Sequence, residues 1–224
     1  MTAATPENRR PLKSRSTAWA RSLAAALAKA GAGPDHISAA SIAFAFLGAM
    51  LFLGAGICPP VPRGVFLILA ATCIQLRLLC NLLDGMVAVE HRRASPAGPI
   101  WNELPDRVAD VLFLAGAGYC AYSSGLDQGA PLGWLAAVLA LLTAYIRELG
   151  RALGMPADFS GPMAKPHRMA ALTIICAVAA FEPLWGWKGQ SLMLGLTVIV
   201  VGAAWTAIRR TRTLARRLAE AAQR

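Results

Sequence analysis

Polar side chains suited to binding a hard cation recur at helical spacing in one otherwise apolar part of the chain. The first group is Asn81-x2-Asp84-Gly85-x2-Ala88, and the second is Gly98-x3-Asn102-x3-Asp106-x3-Asp110. Residues three, four and seven apart share one face of a helix. Pro96, Gly98 and Pro99 interrupt the chain between the two groups. The spacing therefore predicts two helices that can bring both oxygen-rich faces together.

The residue types in these groups favour Mg²⁺ or a similar ion over Zn²⁺. Carboxylate and amide oxygens suit hard cations, whereas Zn²⁺ takes His or Cys ligands. The three His are scattered, and no pair of the five Cys has metal-ligand spacing. Nearby Arg and Lys would attract a phosphate-bearing substrate, and a carboxylate could accept the proton of an attacking alcohol. The pattern thus indicates phosphoryl-transfer chemistry.

Long apolar segments flank this polar stretch. The 224 residues are 56% hydrophobic and 15% charged, with a mean hydropathy of +0.50, which is rare in a soluble domain. A helix of about 20 apolar residues crosses a bilayer. We predict an all-α membrane protein with six transmembrane helices plus an N-terminal amphipathic interfacial helix. The six predicted segments are residues 37–57, 64–83, 108–123, 131–146, 169–185 and 192–208.

The basic residues are concentrated on one side of the predicted membrane. Lys and Arg cluster before the first segment, after the second and fourth, and after the sixth, whereas the opposite loops carry only Arg63 and Lys188. This positive-inside pattern predicts an inner (cytoplasmic) membrane protein with both termini and the polar stretch in the cytoplasm. The basic ends would contact anionic membrane lipids. The net charge of +10 is therefore not a sign of a nucleic-acid partner.

The predicted organisation has three parts. Residues 1–36 form a cytoplasmic segment with an interfacial helix, on which Trp19, Leu23 and Leu27 share one face beside basic residues. Residues 37–208 form the transmembrane catalytic domain. Residues 209–224 form a basic cytoplasmic helix.

The two polar groups together resemble the signature of the CDP-alcohol phosphatidyltransferases, D-x2-D-G-x2-A-R-x8-G-x3-D-x3-D. The residues in register are Asp84, Gly85, Ala88, Gly98 and Asp106. The resemblance extends to the amphipathic helix, the six spans and the basic loop after the fourth span. It implies a homodimeric membrane enzyme that uses Mg²⁺ or Mn²⁺. An alcohol would attack a CDP-linked lipid, usually CDP-diacylglycerol, and CMP would leave as a phospholipid forms.

Three positions depart from that signature. Asn81 and Asn102 stand at the first and third Asp positions, and Val89 stands at the Arg position, so the resemblance is to a subgroup with Asn at these places. An Asn carbonyl can bind a cation but adds no charge, and we expect one or two ions. Glu103 or Asp110 could compensate for the lost charge. Arg92 or Arg93 could replace the missing Arg.

The resemblance also implies roles for individual residues. The metal-binding set would be Asn81, Asp84, Asn102 and Asp106, and Asp106 would also be the catalytic base. CDP-lipid would be bound by Asp84, Gly85, Ala88 and Gly98. A small alcohol, phosphorylated or unphosphorylated, would be bound by Arg147, Lys165 and Arg168.

Purely structural roles remain open for some of these residues. Asn102 could cap a helix, the basic loop could serve only as a membrane anchor, and Asp110 could be a buried partner of Arg77 or Arg107.

Two other function classes are compatible with the sequence. A catalytically impaired homologue would bind CDP-lipid or scaffold a partner lipid enzyme, and it would show no metal-dependent CMP release. A small transporter would have Arg77 and Asp84 along its path. The sequence has no inverted repeat or matching pair of broken helices, which counts against a transporter.

Overall fold

The computed structural model describes residues 17–90 and 96–223, and every regular element within those ranges is helical. The α-helices in chain order are α1 (Ala18–Lys29), α2 (Pro34–Ile57), α3 (Pro60–Glu90), α4 (Gly98–Ser123), α5 (Gly129–Ala152), α6 (Lys165–Ala180) and α7 (Gln190–Ala222). A 3-10 turn, Glu182–Trp185, lies between α6 and α7. The prediction of an all-α protein is confirmed.

Four of these helices are long and apolar enough to cross a membrane: Pro34–Ile57, Pro60–Val89, Gly129–Ala152 and Gln190–Ala222. With 16 residues, α6 is about 24 Å long, whereas the hydrocarbon core is about 30 Å thick. The first half of α4 carries several charged side chains. These findings support an integral membrane protein, and the count of six spans stays a prediction.

The six longer helices form a closed ring. Around it the order is α2, α3, α6, α7, α5 and α4, and α4 returns to α2; α4 also contacts α7 across the ring. Phe52, Leu67, Phe113, Leu172 and Leu196 are among the side chains buried inside. Large apolar side chains also lie on the outer surface, including Phe46, Ile68, Leu141, Ile174 and Val201. Large exposed apolar patches are rare on soluble monomers. An apolar exterior around a packed interior therefore indicates a bundle embedded in lipid.

Glycines allow α4 and α5 to approach each other at backbone distance. A Cβ atom on Gly118 would lie 2.7 Å from the Gly133 Cα, and one on Gly133 would lie 2.7 Å from the Leu114 carbonyl oxygen. Both obstructing atoms belong to the backbone and cannot turn aside. Small residues at such a crossing let helices in a membrane pack closely.

We expect Gly133→Ala to lower the free energy of unfolding by about 1–3 kcal/mol, because the added methyl group overpacks this crossing. Thermal unfolding of the purified protein in detergent measures the change. Gly150→Ala on the same helix is the matched control, since its Cβ would lie 3.4 Å from the Leu214 Cδ1 atom, an ordinary van der Waals contact. Equal unfolding temperatures for the two variants would contradict the expectation.

Helix α1 packs through an alanine stripe. Ala20, Ala24 and Ala28 are buried in a cluster that also contains Leu83 and Val87 of α3, and their spacing of four places them on one face. The apolar face predicted from the sequence, Trp19, Leu23 and Leu27, is a different face of α1. Trp19 and Leu23 are exposed, and Leu27 is partly buried. The alanines take the contact because their small side chains allow the two backbones to approach. The interfacial location of α1 stays a prediction.

A buried ion pair joins the helix ends farthest from the polar stretch. Arg63 Nη2 lies 3.3 Å from Glu182 Oε2. Arg63 also donates to the Ala55 carbonyl and the Ser124 hydroxyl, while Glu182 accepts bonds from the Gly189 and Ser191 amides. The charge pattern assigned Arg63 to a loop, but it lies in the first turn of α3 and is buried among Glu182 and these polar groups.

The last helix crosses the predicted boundary at residue 208 without interruption, since α7 runs from Gln190 to Ala222. Its buried face continues through Ala203 and Ala207 to Arg210. The basic residues predicted at the chain termini and in the central loop lie partly outside the described residues: Arg9, Arg10, Lys13, Arg15, Arg92, Arg93 and Arg224.

Candidate active site

Two helices bring the predicted polar residues together. Asn81 and Asp84 lie near the end of α3, and Asp106 lies in the third turn of α4. Pro99 stands in the first turn of α4, where a missing amide hydrogen costs no helical bond. The two polar groups thus lie on two helices, as the spacing predicted, and the Asn81 amide of α3 contacts Asp106 of α4.

Asp106 lies at the centre of the cluster. Its Oδ1 accepts hydrogen bonds from Arg77 Nη2 at 2.6 Å and from Asn81 Nδ2 at 2.7 Å. Its Oδ2 contacts the Lys165 ammonium and lies 3.8 Å from Arg107 Nη2. The carboxylate is 6% exposed. Opposite charges this close favour its ionised form.

Asp84 has a different environment. Its Oδ2 accepts a 2.7 Å hydrogen bond from the Ser38 hydroxyl of α2, and the residue is buried. Among the described residues, no Lys or Arg forms an ion pair with Asp84. The contact with Ser38 was not predicted, because it joins residues 46 positions apart.

Asp110 belongs to a second buried ion pair. Its Oδ2 lies 2.6 Å from Arg168 Nη2, and both side chains are almost wholly buried. Arg168 also donates to the Met163 carbonyl. The sequence suggested Arg77 or Arg107 as partners, but both interact with Asp106 instead, because Asp110 lies one turn further along α4.

The remaining members of the predicted set lie around this centre. Asn102 is exposed, one turn before Asp106, while Gly85 and Ala88 are half-buried. A Cβ atom on Gly98 would meet nothing within 4 Å, so packing does not require a glycine there. Val89 is exposed, and the predicted substitutes for its missing Arg, Arg92 and Arg93, lie outside the described residues.

The three predicted acceptor-binding residues lie in different surroundings. Lys165 contacts Asp106, and Arg168 pairs with Asp110. Arg147 pairs with Glu103 and Glu148 and lies over the ring of Phe159. Glu103, which could have compensated for a missing acid, is therefore paired with Arg147 and also with Arg107.

Arg147 lines a pocket between α5, the loop that follows it and α7. The lining residues are Ile146, Arg147, Gly150, Pro156, Asp158, Arg210, Leu214 and Arg217. Partial burial raises the pKa of the Asp158 carboxyl, but hydrogen bonds from Ser160 and the charges of Arg210 and Arg217 outweigh it, so that pKa lies below its usual range. The pocket combines three guanidinium groups with one carboxylate.

Arg210 and Arg217 belong to the segment 209–224, which was predicted to be a basic helix at the membrane surface. Arg210 is buried and donates to the Thr143 carbonyl at 2.7 Å and the Ser160 carbonyl at 2.9 Å. A signal was present, because Arg210 continues the helical spacing of the buried residues Ala203 and Ala207.

The oxygen donors of the cluster agree with a hard cation in type but are few in number. Asp84 and Asp106 supply carboxylates, and Asn81 and Asn102 supply amide oxygens. Within residues 17–90 and 96–223, no three or more His, Cys, Asp or Glu side chains are grouped to hold a metal ion. Carboxylate and amide oxygens are ligand types that suit Mg²⁺ or Mn²⁺.

Sequence relatives cover most of the chain, although no protein-family model matches it. Phosphatidylinositol phosphate synthase of Streptomyces avermitilis is 28% identical over 202 residues, which are 88% of this chain and 78% of that protein. Inner membrane protein YnbA of Escherichia coli is 25% identical over 180 residues, which are 80% and 83% of the two chains. A bifunctional IPC transferase and DIPP synthase of Rubrobacter xylanophilus is 33% identical over 165 residues, but the match covers only 33% of that protein.

Solved structures share the fold. The apo form of Mycobacterium tuberculosis phosphatidylinositol phosphate synthase matches with a TM-score of 0.70 and 21% identity, over 86% of this chain and 94% of that chain. The form with CDP-DAG bound and the complex with manganese and citrate both match with a TM-score of 0.67. These findings support the resemblance of this chain to the CDP-alcohol phosphatidyltransferases that its signature indicated. In this shared helical fold α3 and α4 meet at Asp106, which accepts a hydrogen bond from Asn81.

Proposed function

We propose that this protein transfers a phosphatidyl group from a CDP-linked lipid, CDP-diacylglycerol, to an alcohol and releases CMP. The supporting observation is the meeting of Asn81, Asp84 and Asp106 from two helices of a membrane-embedded bundle. The relatives add weight, because two of them are named phosphatidylinositol phosphate synthases and one solved neighbour holds CDP-DAG.

In this proposal Asp106 accepts the proton of the acceptor hydroxyl. The acceptor oxygen forms a bond to the phosphorus that carries the lipid, and the bond from that phosphorus to the oxygen of the CMP group breaks. Arg77 holds the carboxylate in place and in its ionised form. General-base catalysis of this kind contributes about 10²- to 10⁴-fold to a rate.

We further propose that Asn81, Asp84, Asn102 and Asp106 hold Mg²⁺ or Mn²⁺. When bound, the ion would neutralise phosphate oxygens and stabilise the charge of the transition state. Gly85, Ala88 and Gly98 would let the CDP-lipid lie close to the backbone. The open space beside Gly98 agrees with that role.

The acceptor is proposed to be a small anionic alcohol bound by Arg147 and Lys165, whereas Arg168 is buried in its pair with Asp110. The pocket beside Arg147 supports an anionic ligand, because Arg210 and Arg217 also line it. Guanidinium groups match phosphate geometry.

We place the site and both termini on the cytoplasmic side of the inner membrane, because the basic residues are concentrated at those ends of the helices. In this arrangement six helices span the membrane, α1 lies at its surface, and the end of α7 contacts anionic lipid. We also propose a homodimer, following the family that the signature resembles.

The test is CMP release from CDP-diacylglycerol by the purified protein with Mg²⁺ or Mn²⁺. The acceptors to compare are glycerol 3-phosphate, inositol phosphate, inositol, serine, phosphatidylglycerol and glycerol. We expect release that requires the metal and one acceptor, together with the matching new lipid. Absence of release with every acceptor, from protein that still binds CDP-diacylglycerol, would contradict the proposal.

A second candidate is a catalytically impaired homologue that binds CDP-lipid or scaffolds a lipid enzyme. The observation in its favour is that both oxygens of Asp106 contact cationic side chains, Arg77 and Lys165. Saturable CDP-diacylglycerol binding without metal-dependent CMP release would support this candidate.

A further inference from the structure

Both oxygens of Asp106 already contact cations that belong to the chain. Arg77 and the Asn81 amide contact Oδ1, and Lys165 contacts Oδ2. An added divalent ion can use Oδ2 of Asp106 only by displacing Lys165 or by sharing the oxygen with it. At Asp84, by contrast, the Oδ2 atom accepts a bond from the neutral Ser38 hydroxyl.

The two cations differ in their freedom to move. Arg77 is 0% exposed, and its Nη2 also donates to the Asp106 carbonyl. Removing it from Asp106 would leave a buried charge without compensation, which is costly. The Lys165 side chain is 21% exposed, and its four-carbon stem can rotate toward solvent.

The position of Lys165 at the start of its helix increases the electrostatic benefit of its contact with Asp106. Lys165 is the first residue of α6, and a positive charge at a helix N-terminus opposes the helix dipole. The attraction of Asp106 offsets that unfavourable placement. A divalent ion at Asp106 would weaken that attraction, so binding of the ion opposes the contact between Lys165 and Asp106.

We propose that Lys165 is a built-in cation that competes with divalent metal for Asp106, so that each chain holds one divalent ion. The inference rests on the proposed function, because it concerns the same site. The formal charges of Asp84, Asp106, Arg77 and Lys165 balance before any ion enters, and Arg107, 3.8 Å from Asp106 Oδ2, pairs more closely with Glu103. A single ion therefore displaces Lys165, and a second ion would lack a carboxylate.

The first test is Mn²⁺ binding to the full chain in detergent, measured by electron paramagnetic resonance without substrate. Wild type is expected to bind one Mn²⁺ per chain. Lys165→Met is expected to bind it about tenfold more tightly or better, because the competing charge is gone. Lys165→Arg, which keeps the charge, and Lys188→Met, which removes an exposed lysine from the opposite end, should both bind like wild type.

The second test uses wild type alone and so does not depend on how a variant folds. Mass spectrometry would follow the reaction of lysine amines with acetic anhydride, with and without Mn²⁺. Displacement from Asp106 should raise the modification of Lys165 several-fold and leave that of Lys188 unchanged. Two ions per wild-type chain, or equal Lys165 modification with and without Mn²⁺, would overturn the inference.

The outcomes separate this inference from the proposed function. Two bound Mn²⁺ ions together with metal-dependent CMP release would refute the competition but leave the enzyme intact. Protein that binds no Mn²⁺ in any variant and releases no CMP would refute both.

Discussion

Asp106→Asn is expected to lower CMP release from CDP-diacylglycerol by about 10²- to 10⁴-fold, the usual contribution of a general base. The amide cannot accept the hydroxyl proton, and it supplies no charge to hold a cation. CMP release at saturating acceptor and Mg²⁺ measures the loss. A rate within about twofold of wild type would remove Asp106 from the proposed chemistry.

The control for this variant must separate chemistry from folding. Asn at position 106 leaves the buried guanidinium of Arg77 without its carboxylate, so thermal unfolding should accompany the assay. Asp127→Asn is the matched substitution, because Asp127 is exposed in the loop between α4 and α5. That variant is expected to retain both wild-type stability and wild-type CMP release.

Glu182→Gln is expected to lower the free energy of unfolding by about 3–5 kcal/mol, the usual cost of breaking a buried ion pair by removing one partner. Arg63 would keep its bonds to Ala55 and Ser124 but would lose the charge that compensates it. Denaturation of the purified protein in mixed micelles measures the change.

Glu220→Gln provides the comparison for this second variant. Glu220 lies 3.7 Å from Arg216 on the same helix, and both side chains are largely exposed. Surface ion pairs contribute little to stability, so no measurable change is expected. If the two Gln variants unfold alike, the pair between Arg63 and Glu182 does not stabilise the bundle.

Hydropathy predicted most of the helices, because each predicted span falls largely within one of them. The breaks were also readable: Gly31, Gly33 and Pro34 precede α2, and Pro96, Gly98 and Pro99 precede α4. The order of the helices around the ring could not be predicted from the sequence, since it depends on which helix surfaces fit together. The sequence shows Gly118 and Gly133 only as small residues, and it did not predict that their backbones are in contact.

At the site, spacing identified the residues but not their partners. Asp84 and Asp106 were found because they repeat at helical intervals within an apolar chain. Lys165 was assigned to an acceptor, and its contact with Asp106 joins residues 59 positions apart. Arg168 and Asp110 are separated by a similar distance in sequence. Such pairs depend on how α6 packs against its neighbours in the ring, which no local pattern encodes.

The ion pair at the far end of the bundle has a consequence for how the chain is made. Arg63 and Glu182 are 119 residues apart, so at about 5–20 residues per second roughly 6–24 s of synthesis separate them. During that time Arg63 lacks its acidic partner. The Ala55 carbonyl, from the preceding helix, is the partner available first, and the Ser124 hydroxyl follows. Neutral oxygens can therefore accept hydrogen bonds from the Arg63 guanidinium during synthesis, until Glu182 is synthesised and forms the ion pair.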